Sequence, residues 1–126
     1  IDGYGTNKFN AAYSYGGDYL RRVDCGGDGY AALLLGRYRT GTQHRIVTVD
    51  SDGSALAALD VDGEVLSISA AGRYVAVLFS DHMTIYDKTL TECARLDAVS
   101  EARQVLMRAD GSAVLAGSTA ASLYLP

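Results

Sequence analysis

One short pattern recurs three times along this chain, and few architectures can satisfy it. Its anchor is a run that is apolar at successive positions: Tyr30-Ala31-Ala32-Leu33-Leu34-Leu35, Tyr74-Val75-Ala76-Val77-Leu78-Phe79 and Ala113-Val114-Leu115-Ala116. The runs begin at 30, 74 and 113, so they recur after 44 and 39 residues. A strand solvated on one face alternates in polarity, whereas a strand covered on both faces is apolar throughout. The clearest copy of the whole unit runs from Val65 to Asp97. It reads as strands over 65–69, 74–80, 83–88 and 92–97, with a tight turn at Asp81-His82. Units of this kind cannot bury their apolar faces alone and must stack on neighbours.

Turn chemistry agrees with short antiparallel strands. Gly26-Gly27-Asp28-Gly29, Asp52-Gly53, Asp62-Gly63, Ala71-Gly72 and Asp110-Gly111 all separate apolar runs. Asp-Gly in that setting is a strong hairpin signal, because Gly takes positive φ freely and Asp tolerates it. The one proline, Pro126, interrupts no strand. The competing reading, helix, fits poorly, since the runs are short, Gly- and Asp-bounded, and rich in β-branched and aromatic residues. Residues 100–108 are the most helix-like, but the repeat register makes them a first strand. The third strand ends alike in two units, at Thr48-Val49-Asp50 and Ile85-Tyr86-Asp87. Ser122-Leu123-Tyr124-Leu125 takes that place in the last unit, which therefore lacks a fourth strand.

Residues 65–97 resemble a WD40-type blade. Ser80-Asp81-His82-Met83-Thr84-Ile85-Tyr86-Asp87 looks like that family's turn and third strand, with Tyr86-Asp87 where the family has Trp-Asp. Thr91-Glu92-Cys93 looks like its lead into the outer strand. No Gly-His dipeptide precedes the first strands and the chain has no Trp, so the tetrad of the family does not carry over. The chain is similar to the broader class of divergent bacterial β-propellers, PQQ-like repeats and membrane-anchored forms included. The resemblance implies an all-β fold of β-propeller-like blades, each of four antiparallel strands, in one domain over 1–126. The parts are an N-terminal strand segment (1–18), blades at 19–60 and 65–97, and an incomplete blade at 102–126. A strand over 8–15 would complete the C-terminal blade, as closed propellers hide their edges. About three blades form a partial propeller, because propellers have typically four to eight. The expectation is therefore self-association of the chain, or further blades in a longer one.

Composition narrows the function classes. The formal net charge is −4, and of 11 basic residues only Lys8 and Lys88 are lysines. Nucleic-acid surfaces need clustered Lys and Arg, so nucleic acid is not expected as a partner. No stretch approaches the roughly 18 consecutive apolar residues that span a bilayer. The compartment stays open between cytoplasmic and extracytoplasmic, the latter with an N-terminal signal or anchor removed. Cys25 and Cys93 read as small buried hydrophobes, with a disulfide as the alternative in an oxidising compartment.

Metal and cofactor chemistry finds little support. Asp50-Ser51-Asp52-Gly53 opens like a calcium loop, but its twelfth position is Val61 and not Glu. Asp60-Val61-Asp62-Gly63 is a second Asp-x-Asp-Gly, about 20 Å away along a strand at roughly 3.3 Å per residue. Both read as turns. His44 and His82 read as solvated turn residues, with no ligand partner at metal spacing. No metal, cofactor or catalytic group is expected, and motifs for phosphate loops and activated nucleophiles are missing.

One departure from the repeat points to a site. From Tyr30 to Asp50 is 20 residues, whereas Tyr74 to Asp87 is 13. About seven extra residues fall in Gly36-Arg37-Tyr38-Arg39-Thr40-Gly41-Thr42-Gln43-His44-Arg45. Arg and Tyr are enriched at binding hot spots, and loops on a rigid scaffold carry recognition. Arg37, Tyr38, Arg39, His44 and Arg45 are thus the candidate binding residues, set against a longer solvated hairpin. The reading is a non-catalytic interaction or ligand-binding scaffold with a protein or peptide partner, the hairpin meeting an acidic peptide, a glycan or another subunit. The alternatives are an accessory part of a larger propeller enzyme, or a structural cell-envelope domain.

Overall fold

The computed structural model describes residue 15 and residues 17–36, 43–97, 99 and 101–126. Within them the chain is all-β, built of three antiparallel sheets in sequence order. The first holds β1 (Tyr19–Gly27), β2 (Tyr30–Gly36), β3 (Gln43–Asp50) and β4 (Ala55–Asp62). The second holds β5 (Val65–Ala71), β6 (Tyr74–Phe79), β7 (Met83–Asp87) and β8 (Glu92–Leu96). The third holds β9 (Ala102–Met107), β10 (Ala113–Gly117) and β11 (Ala121–Tyr124). Each strand pairs with the next inside its sheet. The segment that looked most helical forms β9.

Burial explains the uninterrupted apolar runs. The faces of β6 belong to different cores. Val75, Val77 and Phe79 pack with Tyr30, Ala32, Leu34 and Ile46 of the first sheet. Ala76 and Leu78 pack with Val105, Met107, Ala113 and Leu115 of the third. A side chain in such a layer removes of the order of 2 kcal/mol of apolar surface from water. The outer strands β4 and β8 alternate between exposed and half-buried positions instead.

The sheets are also linked by hydrogen bonds between their first strands. Asp24 Oδ2 accepts the backbone N–H of Ala70 at 2.9 Å. Ser67 and Ser69 Oγ accept those of Val105 and Met107 at 3.2 and 2.8 Å. Asp24 lies opposite Ala32 and Ser69 opposite Ala76, each the third residue of the adjoining strand. The same device therefore joins β1 to β5 and β5 to β9. Tyr30 Oη donates to the Tyr74 carbonyl at 3.0 Å, and Thr48 Oγ1 to the Lys88 carbonyl.

The aspartates that end two third strands shape the turns after them. Asp50 Oδ1 accepts from the N–H of Asp52 at 3.0 Å, and Asp87 Oδ1 from those of Thr89 and Thr91 at 2.9 and 3.0 Å. The Thr89 hydroxyl adds a bond at 2.7 Å and, with these amides, holds the Asp87 carboxyl below its usual range. Asx turns of this kind account for both aspartates without a metal.

Three expectations need correction. Asp62-Gly63 does not close a hairpin, since β4 and β5 lie in different sheets. Gly63, at φ 133°, turns the chain from one sheet to the next. Cys25 and Cys93 are free and exposed rather than buried, on the solvent sides of β1 and β8. His44 belongs to β3 and not to a turn. It lies opposite Gly36 and Val61 and is only 4% exposed. Most of the expected strand over 8–15 lies outside the described residues. Tyr15 packs against Leu33, Leu35 and Val47 on the outer face of the first sheet.

Candidate functional site

Of the five candidate binding residues, Arg37, Tyr38 and Arg39 lie outside the described residues. His44 and Arg45 begin β3, at the base of that hairpin, where pairing to both β2 and β4 fixes them. Successive residues of a strand face opposite ways. His44 accordingly turns inward, and Arg45 turns outward toward its cross-strand neighbour Asp60. The Arg45 Nε bonds Asp60 Oδ1 at 2.8 Å, with the side chains 33% and 62% exposed. An ion pair this open contributes at most about 1 kcal/mol. It orients the guanidinium more than it stabilises the sheet.

A shallow cavity of about 230 Å³ lies beside this pair, lined by Gln43, His44, Asp60, Val61 and Asp62. His44 thus forms the wall of a cavity and does not stand on an open binding surface. Asp60 and Asp62 supply carboxylates to its lining and Gln43 an amide. Such a lining can recognise a partner that carries both donors and acceptors.

His82 is in the turn between β6 and β7, as expected. It is held there from two sides. Its ring stacks on Phe79 with centroids 4.3 Å apart, and Nδ1 meets Asp81 Oδ1 at 2.6 Å. That bond keeps the Asp81 carboxyl below its usual range. Among the described residues no group of three His, Cys, Asp or Glu side chains is placed to hold a metal ion. Among them, too, no helix is long and apolar enough to cross a membrane.

Sequence reasoning passed over Asp24, Ser67 and Ser69, whose side chains join the sheets. Their signal was slight: single short polar residues, two of them in the otherwise apolar β5. No protein-family model matches this chain, and a search of curated proteins finds no match either.

Proposed function

We propose that the chain is a non-catalytic binding scaffold of the β-propeller type, its three sheets being successive blades of a partial propeller. The observation that carries this reading is the repeated link between first strands, Asp24 to Ala70 and Ser69 to Met107. Propeller blades place their first strands side by side around a common axis, and this link supports that arrangement. Rigid sheets of this kind suit the display of loops for recognition.

In this reading the β2–β3 hairpin presents Arg37, Tyr38, Arg39 and Arg45 to an acidic peptide, and the partial ring is completed by self-association. The outer face of the third sheet supports the second point. Leu106, Val114 and Leu123 align across β9, β10 and β11, with Leu106 62% and Leu123 49% exposed.

Two experiments test the reading. Fluorescence anisotropy with Asp/Glu-rich peptides should show saturable binding that is lost when Arg37, Arg39 and Arg45 are together changed to Ala, with thermal stability retained. Binding unchanged in that variant overturns the hairpin as the site. Light scattering over a dilution series should give a closed oligomer. A monomer that persists at every concentration overturns self-association.

A further inference from the structure

The register of β1 slips once near its start. Leu20 lies opposite Leu35 and Arg22 opposite Leu34, so Arg21 is an extra residue. A bulge of this kind re-aims the side chains around it. In a regular strand Arg21 and Arg22 would point to opposite faces. Here Leu20 and Val23 lie opposite Leu35 and Leu33, on the outer face of the sheet. Arg22 lies opposite Leu34, on the face toward the second sheet. Arg21 shares that face. A Cβ added at Gly36, opposite Tyr19, would stand 2.7 Å from the Tyr19 ring and 3.0 Å from Arg21 Cδ. Arg21 Nη1 then donates to Tyr19 Oη at 3.2 Å.

Arg21 and Arg22 line a groove of about 370 Å³ between β1 and β5, whose far wall is Ser67 and Ile68. Among the described residues Arg22 has no carboxylate partner. The Ser67 side chain is turned to the third sheet, where its Oγ accepts from the Val105 N–H. Asp24 also lines the groove, but its two oxygens are held by the N–H groups of Gly26 and Ala70, each at 2.9 Å. In a chain of net charge −4 this is a local concentration of donors. Adjacent guanidinium forks match the planar or trigonal oxygens of carboxylate and phosphate.

We propose that the groove between β1 and β5 binds an anionic ligand through a carboxylate or phosphate group, held by Arg21 and Arg22. It deepens the binding-scaffold reading at a surface separate from the β2–β3 hairpin, so each can fail without the other.

The test is ¹⁵N–¹H NMR of the full chain titrated separately with citrate and with inorganic phosphate. Saturable shifts at Arg21, Arg22 and Ser67 are expected. Arg22→Ala should weaken binding about tenfold or more, and Arg22→Lys should recover part of it, since a charge without a fork remains. Arg95→Ala on β8 removes the same charge and should change nothing. If Arg22→Ala loses its dispersed spectrum, Arg21→Ala carries the same expectation. Saturation with one probe alone identifies the group recognised. No saturable shift with either, or equal weakening by Arg95→Ala, overturns the proposal.

Discussion

Leu90 holds, at φ 61°, the turn position that Gly53 holds at φ 88° one sheet earlier. Both donate their backbone N–H to the carbonyl of the aspartate ending the third strand, Asp87 and Asp50, at 2.8 and 3.0 Å. The left-handed region costs a residue with a Cβ roughly 1–2 kcal/mol. Leu90 is kept there by its side chain, buried in the core between the first and second sheets.

That balance makes the usual order of small substitutions reverse. Leu90→Ala loses the buried side chain, about 2–4 kcal/mol, and keeps the backbone strain. Leu90→Gly loses the same contacts but releases the strain, so it should be the more stable of the two by about 1 kcal/mol. Urea denaturation of both variants decides it. An alanine variant as stable as the glycine one would mean that the turn stores no strain.

Ser69→Ala tests the link between the second and third sheets. It leaves the Met107 N–H without its partner in a buried site, which should cost about 1–3 kcal/mol. The chevron or equilibrium midpoint should fall with the denaturant slope unchanged. A shift below a few tenths of a kcal/mol would show that Ser69 only fills space.

Tyr30 should govern the alkaline limb of stability. Burial, then the nearby Asp28, pushes its hydroxyl up to about 12. The folded state therefore prefers the neutral phenol more than the unfolded chain does, where the pKa is about 10. This contribution is whole below about pH 10 and is lost as pH rises toward about 12. Tyr30→Phe should flatten that limb while costing about 1 kcal/mol at neutral pH through the bond to the Tyr74 carbonyl. An unchanged limb in the variant would assign the alkaline loss to another group.

The cysteines should both react with a thiol reagent in the folded state, because both are exposed. Burial and then Asp87 raise the Cys93 thiol. Its labelling should therefore climb with pH past the ordinary thiol range of about 8.5. Protection of either thiol until the chain is unfolded would contradict the placement of β1 or β8.

The strand runs were legible because burial on both faces leaves a mark that composition alone carries: apolar residues without alternation, as in β6. Asp50 and Asp87 were legible for a similar reason, since a turn that borrows a side-chain oxygen restricts the residue type. The bulge at Arg21 left no such mark. One inserted residue changes which way every later side chain points while leaving the letters as ordinary as before. His44 was misplaced because β3 extends into what the spacing assigned to an inserted loop. The cysteines were misjudged because the solvent side of a strand, first or outer, accepts a small residue as readily as a core does. For Arg37, Tyr38 and Arg39 the sequence alone still carries the argument.

The two cores that meet on β6 set the order in which this protein can come apart. Among the described residues the first and third sheets each share an inter-sheet core with the second alone, and the second shares one with both. Opening an end sheet exposes one layer, whereas opening the middle one dissolves two at once. Amide exchange should thus slow from both ends of the chain toward Val75–Leu78, and fluctuations should begin at the flanks and stop at the centre.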